Sequence, residues 1–480
     1  MMLLSELLEN MNYEQVVGAT DVEIGGLCTD SRRIKKGDLF FCYEGGNADS
    51  HKFAEDVVKD GAAAVVCERK LGVPIPQIIV KDGRSQVALA ARAFYGFSDR
   101  NLKLIAVTGT NGKTTTTYML ASIFHAYGRK TAIIGTLGIN YCDKFIAPEL
   151  TTPDPVFLHS VFADMVSAGV EYVFMEVSAH ALHFGKIVGL EFEAGIFTNC
   201  TQDHLDFFGN MRDYAECKKL LFLPGRCRRA VINSDDNLGI ELLSLTENAV
   251  SYGLKNPADV FAVDVRESLN GSTFVLNLFD ELYEIELGIP AEHNVYNALA
   301  AAACANLLGV KTSVIAKGLK SLKTVEGRLE RVARYNGAEI FVDFAHTPDG
   351  LEKSLKSLKK LCKGRLYCLF GCGGNRDRTK RPVMGAVAAK WADFCIITSD
   401  NPRFEDPFDI ISEIEVGVKP YGKQYVTVTE REIATEYAIR LLENNDVLLV
   451  AGKGGEHYQE IAGIKHSYND NTVIKKIIGD

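Results

Sequence analysis

A short glycine-containing segment holds the residues with the clearest capacity for chemistry. An apolar run at residues 104–107 precedes it, and a helix-compatible run at residues 115–121 follows it. In such a strand, loop and helix, the glycines let backbone N–H groups face phosphate oxygens, and the start of the helix adds partial positive charge. The lysine can reach terminal phosphates, and the next threonine can hold Mg²⁺. We therefore predict an ATP-binding loop composed of Gly109, Thr110, Asn111, Gly112, Lys113, Thr114 and Thr115.

The spacing of this loop is two residues shorter than the usual GxxxxGK[ST] pattern. An accidental turn is the competing interpretation, but the strand before the loop and the helix after it favour a phosphate loop. The loop indicates ATP use and leaves the acceptor of the phosphate open.

Two further polar residues stand where predicted strands end. Glu176 comes directly after the apolar run at 172–175. The run at 194–197 is followed by Asn199 and then by His204. Because the carboxyl ends of parallel strands lie at one edge of a sheet, we expect both side chains beside the phosphate loop. A lone glutamate or histidine is more often a capping or surface residue, but the repeated placement at strand ends favours metal ligands.

The apolar runs predict an α/β chain of three domains, since 480 residues at roughly 100 to 200 per domain suggest about three units. Central strands at 103–107, 131–134, 172–175, 194–197 and 230–232 alternate with helical stretches, as in a parallel sheet covered on both faces. We predict a small mixed α/β N-terminal domain over 1–99 and a central P-loop, ATP-binding domain with a mostly parallel sheet over 100–330. A C-terminal Rossmann-like domain is predicted over 331–480, with strands at 339–342, 366–370, 394–397 and 446–450.

The composition excludes several classes of protein. A formal net charge of −9 argues against a sequence-independent grip on nucleic acid, which needs an excess of Lys and Arg on one face. The N-terminus lacks the pattern of a signal peptide, and no apolar run reaches the roughly 18 residues of a membrane span. The twelve cysteines are scattered, so we expect reduced thiols in a cytoplasmic protein. Cys368, Cys372 and Cys395 are interpreted as core residues and not as metal ligands.

A series of motifs in chain order resembles the Mur ligase superfamily over essentially the whole chain. They are the phosphate loop and the segments at 176–180, 198–199, 203–206, 293–298, 327–330 and 342–348. Segments at 29–32, 151–153, 371–377, 400–403 and 452–456 resemble its MurE-type branch, which adds the third residue of the peptidoglycan stem peptide to UDP-N-acetylmuramoyl-L-alanyl-D-glutamate. The resemblance implies an ATP-dependent carboxylate–amine ligase of cytoplasmic peptidoglycan precursor synthesis. It is expected to be a monomer that binds small-molecule substrates, with no nucleic-acid partner and no membrane span.

The resemblance also implies that the domain over 1–99 binds UDP and that the domain over 331–480 binds the amino acid, and it assigns residues to the three substrates. Besides the loop, the ATP site would include Asn294, Asn297, Arg328 and Asp343. The UDP-muramoyl-dipeptide would be bound by Ser31, Asn47, Thr151, Thr152, Ser178 and Lys186. The incoming amino acid would be bound by Arg376, Asp400, Asn401, Pro402, Arg403, Gly452 and Glu456.

Arg403 decides which amino acid the resemblance implies, because an arginine at this position goes with meso-diaminopimelate in this family. The physical chemistry agrees. Diaminopimelate carries a distal carboxylate that a planar guanidinium can hold with two charge-assisted hydrogen bonds, whereas the distal ammonium of lysine would be repelled. Glu456 is suited to the distal ammonium of diaminopimelate. A strand-exit turn with a solvated arginine is the alternative interpretation of this segment.

The resemblance further implies an acyl-phosphate mechanism that depends on Mg²⁺. Catalytic roles fall on Lys113, Glu176, His204 and Lys218, and the metal ligands would be Thr114, Glu176, His204 and Lys218. Lys218 resembles the lysine that is carbamylated in the family. A lysine capped by CO₂ is an anion that can help to bind Mg²⁺, which an ammonium cannot do. Neighbouring Lys219 is the alternative assignment.

Four positions depart from the family pattern. Ala179 stands in place of a second serine, and Phe184 and Lys186 stand in place of Gln and Arg. Gly455 stands where the last-domain motif often has His. Lys186 keeps a positive charge without the fork geometry of arginine, and Phe184 cannot donate or accept a hydrogen bond. Recognition of the dipeptide is therefore expected to differ in detail.

Three other kinds of function share part of this pattern: related ligases, P-loop kinases or nucleotide switches, and structural proteins. The same ligase using L-lysine or another amino acid, and a folylpolyglutamate synthase-like ligase, share the phosphate loop and the acyl-phosphate chemistry. A P-loop kinase or a nucleotide-switched binding module would need no amine pocket, and the predicted domain over 331–480 argues against it. A purely structural protein would leave the glycine loop and the strand-end ligands without a purpose.

Overall fold

The computed structural model describes residues 1–45 and 49–479, which form two compact units. The first unit comprises residues 1–106, 129–195 and 220–228, and the second comprises 107–128, 196–219 and the chain from 229 onward. The chain passes from one unit to the other within two strands, at residues 106–107 and 195–196. None of the helices within the described residues is long and apolar enough to cross a membrane.

The N-terminal part of the first unit is a five-stranded sheet with helices. Its parallel strands are buried apolar runs, and β2 joins the sheet antiparallel at an edge, in the order β2-β7-β6-β5-β4. The elements are β1 (Met2–Leu3), α1 (Leu4–Leu8), β2 (Gln15–Val17), β3 (Glu23–Ile24), β4 (Gly26–Cys28), β5 (Asp38–Phe41), α2 (Ala54–Lys59), β6 (Ala64–Cys67), β7 (Gln77–Ile79) and α3 (Gly83–Phe94). Asp82 caps α3 by accepting hydrogen bonds from the backbone N–H groups of Arg84 and Ser85, which is why the helix starts there.

The central region alternates strands and helices, as the apolar pattern predicts. In the first unit β12 is parallel to β9, and β10 and β11 continue antiparallel from β9. The elements in this part of the chain are β8 (Lys103–Thr108), α4 (Lys113–Ala126), β9 (Thr131–Gly135), β10 (Gly138–Tyr141), β11 (Lys144–Ile146), α5 (Pro155–Ser167), β12 (Tyr172–Glu176), α6 (Ala179–His183) and β13 (Ala194–Phe197).

In the second unit β14, β15 and β16 are parallel, and β16, β17 and β18 form an antiparallel meander. The alanine-rich helix α10 is buried along most of its length, and it packs on α4 and on these strands. The elements are α7 (Leu205–Phe208), α8 (Met211–Lys219), β14 (Ala230–Asn233), α9 (Asn237–Leu245), β15 (Ala249–Gly253), β16 (Val260–Ser268), β17 (Gly271–Leu278), β18 (Glu281–Leu287), α10 (Glu292–Leu307) and α11 (Thr312–Ser321).

The C-terminal part of the second unit is a doubly wound six-stranded sheet. The strand order is β19-β20-β24-β21-β22-β23, with β19 antiparallel at one edge and the others parallel. The elements are β19 (Glu330–Tyr335), β20 (Ala338–Asp343), α12 (Pro348–Leu361), β21 (Leu366–Phe370), α13 (Lys380–Trp391), β22 (Phe394–Ile397), α14 (Pro407–Val418), β23 (Gln424–Thr427), α15 (Arg431–Arg440), β24 (Val447–Ala451), β25 (Tyr458–Ile461), β26 (Ile464–Ser467) and α16 (Asp470–Ile478).

The predicted strands are therefore present, and the mixed α/β, parallel-sheet and Rossmann-like regions follow one another as expected. The domain boundaries at 99 and 330 stay a prediction. All twelve cysteines are free thiols, and Cys368, Cys372 and Cys395 are buried in the core around the C-terminal sheet. Their interpretation as core residues agrees with this placement.

Candidate active site

The phosphate loop connects β8 to α4, and its lysine is folded over it. Lys113 is the first residue of α4, and its Nζ donates hydrogen bonds to the carbonyl oxygens of Gly109 (2.8 Å) and Thr110 (2.9 Å). Thr114 and Thr115 follow in the helix and are buried. The ammonium thus lies at the loop that would receive a negatively charged group, where phosphate oxygens can replace the two carbonyls as acceptors.

Two polar residues after β13 fix the loop from one side. The Thr198 hydroxyl donates to the carbonyl oxygen of Asn111 (2.6 Å), and the Asn199 side chain both accepts from the Asn111 N–H (2.9 Å) and donates to its carbonyl (3.0 Å). Gly109 has φ +143°, and a Cβ there would collide with the Thr198 hydroxyl. The loop therefore needs glycine at this point both for its backbone conformation and for the close approach.

Asn294 and Asn297 of α10 support the loop from another side. Asn294 donates to the Pro290 carbonyl (2.7 Å) and accepts from the Asn297 amide (3.0 Å). The Asn297 oxygen accepts from the Thr116 hydroxyl (3.4 Å), and a Cβ on Gly112, which has φ +90°, would collide with it. Both asparagines are buried, so the structure places them as the backing of the phosphate loop.

A mostly buried carboxylate, that of Asp203 in the segment after β13, lies between two histidines. Asp203 Oδ2 is 3.4 Å from Nε2 of His204 and 3.8 Å from Nε2 of His346. Burial opposes ionisation of Asp203, but His346, His204 and Lys380 outweigh it and hold the pKa of the carboxyl well below its usual range. His204 itself has φ +55°, an uncommon conformation for a residue with a side chain.

The start of α12 touches the phosphate loop through one carboxylate. Asp349 Oδ2 accepts hydrogen bonds from the Asn111 amide (2.9 Å), the Thr201 hydroxyl (3.2 Å) and Lys353 Nζ (2.8 Å). A residue of the C-terminal sheet region therefore contacts the loop directly within the second unit.

Lys218 and Lys219 differ sharply in their surroundings. Lys218 is 1% exposed and lies over the ring of Tyr214 at 4.1 Å, and burial lowers its pKa to about 8, although Cys200 and Asp203 act in the opposite direction. Lys219 forms ion pairs with Glu216 and Glu241 at the surface, and these raise its pKa. A carbamate forms from a neutral amine, so Lys218 is the residue that fits this modification.

Glu176 ends β12 in the first unit, and its carboxylate is buried. Oε1 accepts from the Thr136 N–H (2.9 Å) and Oε2 accepts from the Thr136 hydroxyl (3.1 Å). A Cβ on Gly135 would collide with the Glu176 carboxylate, so glycine at the end of β9 provides its space. The carboxylate is held in one orientation, as a metal ligand requires.

The predicted dipeptide residues form a connected group in the first unit. The Thr152 hydroxyl donates to the Glu176 carbonyl (2.9 Å) and accepts from the Ser178 N–H (3.1 Å), while the Thr151 and Thr136 hydroxyls lie 3.2 Å apart. Lys186 pairs with Asp154 at 2.6 Å. Of the predicted UDP contacts, Ser31 is partly exposed at the start of a short 3₁₀ turn, and Asn47 lies outside the described residues.

The predicted amino-acid residues converge on the loop after β22. Arg403, at φ +52°, donates from Nε to Glu460 (3.1 Å) and from Nη1 to the Gly374 carbonyl (2.8 Å). Arg376 is exposed. It lies near Arg403 because both side chains border Gly373: a Cβ on Gly373 would lie 2.9 Å from Nη1 of Arg403 and 3.8 Å from Cγ of Arg376. Asp400, Asn401, Pro402 and Gly452 complete this group, and Asp400 would be the first group to meet a Cβ on Gly452.

Lys453 organises the other side of this loop. Its fully buried ammonium donates to Asn401 Oδ1 (3.0 Å) and to Glu456 Oε2 (2.9 Å), and Glu456 also accepts from the Asn401 amide (2.9 Å). Burial opposes ionisation of Asp400, but Lys453 and Arg431 outweigh it and lower its pKa. The loop therefore presents fixed positive and negative groups side by side, which suits a ligand that carries both charges.

The hinge segment joins the ATP motif to this loop. Asp343 at the end of β20 accepts hydrogen bonds from the N–H groups of Leu329 (2.5 Å) and Ala345 (2.7 Å), and burial raises its pKa to about 6. The Arg328 guanidinium lies over the Phe344 ring at 4.3 Å. Both predicted ATP residues thus belong to the backbone connection that leads into the C-terminal sheet.

Several residues that contact the predicted site residues were not predicted from the sequence. Gly135 and Asp349 carry no pattern of their own, because one is a strand-end glycine and the other resembles an ordinary acidic residue in the first turn of a helix. Lys453 belongs to the segment that resembles the MurE-type branch and could have been singled out there. Glu460 gives no signal before the hairpin of β25 and β26 is seen to pair with Arg403.

Comparison with known proteins gives a consistent result over the whole chain. The family profiles that match are the Mur ligase family catalytic domain at residues 23–95, the Mur ligase middle domain at 107–305 and the Mur ligase glutamate ligase domain at 327–454. A UDP-N-acetylmuramoyl-L-alanyl-D-glutamate–2,6-diaminopimelate ligase of Bacillus cereus is 40% identical over 99% of this chain and 98% of its own length. The chain belongs to the Mur ligase family.

Two further similarities support this membership. The ligase of the same name from Geobacillus kaustophilus is 42% identical over 95% of each chain. A solved structure of a UDP-N-acetylmuramoyl-L-alanyl-D-glutamate–2,6-diaminopimelate ligase is 31% identical and covers 100% of this chain and 99% of its own, with a TM-score of 0.71. The three matched segments follow in chain order and confirm the three-domain α/β Mur ligase fold.

The environment of Lys218 leads to the first testable prediction. We expect Lys218→Ala to lower ligase activity about 100-fold or more, because it removes the carbamate that would help to hold Mg²⁺ next to the phosphate loop. Millimolar formate or acetate should partly restore the activity by supplying the missing carboxylate. The matched control is Lys219→Ala, which removes only a surface ion pair and should stay active. Full activity of Lys218→Ala, or an equal loss in Lys219→Ala, would contradict the assignment.

The lack of space for a side chain at Gly135 leads to a second prediction. We expect Gly135→Ala to lower the free energy of unfolding by about 1–3 kcal/mol, since the added methyl group must displace the Glu176 carboxylate. Activity should fall roughly tenfold or more through misplacement of that carboxylate. Gly72→Ala is the control, because among the described residues an added Cβ there meets nothing within 4 Å. Chemical unfolding and steady-state turnover measure the two effects, and an unaltered turnover of Gly135→Ala would show that Glu176 has no part in the reaction.

Proposed function

We propose that the chain is the ATP-dependent ligase that adds meso-diaminopimelate to UDP-N-acetylmuramoyl-L-alanyl-D-glutamate, in cytoplasmic peptidoglycan precursor synthesis. The observation that carries the proposal is the loop of residues 400–403. In this loop Arg403 pairs with Glu460, and Asn401 accepts a hydrogen bond from Lys453 and donates one to Glu456. The chain that holds this loop is 40% identical to a ligase of that name. The enzyme acts as a monomer on small-molecule substrates.

The reaction takes place in two displacements. The side-chain carboxylate of D-glutamate attacks the γ-phosphate of ATP, which breaks the bond to ADP and gives an acyl phosphate. The amine of the incoming amino acid then attacks the acyl carbon, loses a proton and releases phosphate as the amide forms. The first step brings together two anions, so positive charge beside the transferred phosphate is the main catalytic requirement.

The residues of this chain fit that requirement. Lys113 exchanges its bonds to the Gly109 and Thr110 carbonyls for phosphate oxygens, and the loop N–H groups help to neutralise the charge. The buried Glu176 carboxylate, the Thr114 hydroxyl and a carbamate on Lys218 would offer oxygen ligands, which Mg²⁺ prefers, and His204 would add a nitrogen ligand. Bound Mg²⁺ supplies further positive charge to the phosphoryl group.

Two alternatives stay within the same family. A ligase that adds L-lysine would bring an ammonium toward the Arg403 guanidinium, and this like-charge contact disfavours lysine. A folylpolyglutamate synthase-like ligase needs no pocket for a muramoyl-dipeptide and would not explain the 40% identity to a diaminopimelate ligase over 99% of this chain.

The choice of amino acid can be tested directly. We expect ADP release by the purified protein with UDP-N-acetylmuramoyl-dipeptide and meso-diaminopimelate to exceed that with L-lysine by at least roughly tenfold, and to fall to background without an amino acid. Turnover with lysine that equals or exceeds turnover with diaminopimelate would remove Arg403 as the selector.

A variant of the selector gives a further prediction. We expect Arg403→Ala to raise the KM for diaminopimelate roughly 10- to 100-fold, the effect of losing charge-assisted hydrogen bonds to a carboxylate, with little change in the KM for ATP. Arg440→Ala is the matched control, because it breaks an exposed arginine–glutamate pair with Glu436 in the same domain. An unchanged KM for diaminopimelate in Arg403→Ala would show that this guanidinium does not bind the distal carboxylate.

A further inference from the structure

The first unit contains a cavity of about 530 Å³ whose lining includes Lys186, a predicted contact of the UDP-muramoyl-dipeptide. Thr29, two residues before the predicted UDP contact Ser31, also lines it, and so does Asp154, two residues after the predicted dipeptide contact Thr152. Residues near both groups of predicted contacts therefore meet at this cavity, as expected of a site for the part of the substrate that joins them.

The side chain of Arg84 is held in the cavity by three contacts. Its guanidinium carbon lies 4.5 Å from the ring centre of Phe184 and 5.5 Å from that of Tyr43, and Nη2 donates to the Glu44 carbonyl at 2.6 Å. Stacking on aromatic rings costs a guanidinium few of its N–H donors. Arg84 is thus oriented in advance and keeps donors for a ligand.

The other charged groups of the cavity nearly cancel. Lys186 Nζ pairs with Asp154 at 2.6 Å and also donates to the Thr152 carbonyl at 3.4 Å. The Lys186 side chain is mostly buried, so this ion pair is screened little by water. Arg84 therefore contributes the uncompensated positive charge of a cavity in a chain whose overall charge is −9.

We propose that Arg84, supported by the ring of Phe184, is the residue that binds the diphosphate of the UDP-sugar substrate. A diphosphate is the strongly anionic group between the uridine and the dipeptide, and a planar guanidinium matches its oxygens with paired hydrogen bonds. Phe184, a departure from the family pattern, then acts as a platform for Arg84 and makes no hydrogen bond of its own. The inference rests on the proposed function for the identity of the substrate.

The test is direct binding of UDP and of uridine to the full-length protein by calorimetry, without other substrates. We expect Arg84→Met to weaken UDP binding roughly tenfold or more while uridine binding changes less than about twofold, because only UDP carries the diphosphate. The KM for UDP-N-acetylmuramoyl-dipeptide should rise in parallel, and the KM for diaminopimelate should not. Equal UDP affinity in wild type and Arg84→Met would overturn the proposal.

Two further variants separate loss of a phosphate contact from loss of packing. Arg100→Met is the matched control, since the Arg100 guanidinium lies 4.5 Å from the ring of Phe97 in the same unit and is not part of the cavity. It should bind UDP as wild type does. Arg84→Lys keeps the positive charge but loses the paired hydrogen bonds, so it is expected to bind UDP more tightly than Arg84→Met and more weakly than wild type. Equal losses of UDP and uridine affinity in Arg84→Met would show lost packing on Phe184 and would overturn the proposal.

The binding assay also separates this inference from the proposed function. A wild-type protein that binds UDP through Arg84 but forms no product with any amino acid would refute the ligase proposal alone. A wild-type protein that is an active ligase, and whose Arg84→Met variant binds UDP normally, would refute the inference alone.

Discussion

The phosphate loop leaves no room for a side chain at two of its positions, and this close fit constrains much of the second unit. Gly109 lies against the Thr198 hydroxyl and Gly112 lies against the Asn297 amide, so any Cβ at either point would collide. The register of β13 and the placement of α10 must therefore agree to within a fraction of an ångström. The N–H groups of the loop are therefore oriented before a phosphate binds, so that little reorganisation is needed during the reaction.

A second constraint is the handling of positive charge. Four cations at the proposed substrate sites have an internal partner: Lys113 is bonded to loop carbonyls, Arg403 to Glu460, Lys453 to Glu456 and Lys186 to Asp154. These partners fix the cations in position and avoid the cost of burying an unpaired charge. They also set a threshold for the ligand, since a substrate must offer a better anion than the partner it replaces. Lys218 is different, because its burial lowers the pKa and so favours the neutral amine, the form that the proposed carbamylation requires.

Much of the fold could be predicted from the sequence, whereas the site could be predicted only in part. Continuous apolar runs such as 104–107 and 172–175 became buried strands because both faces of a parallel sheet are covered. The local sequence could not decide between Lys218 and Lys219, since both belong to α8 and only the tertiary packing buries one of them. Arg84 and Glu460 were not predicted, because an arginine in a first helical turn and a glutamate in a hairpin acquire a role only through distant partners. The aromatic platform under Arg84 comes from Phe184, 100 residues further along the chain.

The hinge shows how the ATP motif and the amino-acid loop are linked in one backbone network. The Asp343 carbonyl accepts a hydrogen bond from the Gly452 N–H (3.0 Å), and the Gly327 carbonyl accepts one from Phe344 (2.8 Å). A Cβ on Gly327 would collide with the backbone of Gly454 and Gly455, so the two segments meet main chain to main chain. At such a contact a larger residue has no space. Glycine at 327 therefore allows the segment between the ATP motif and the C-terminal sheet to pack directly on the amino-acid loop.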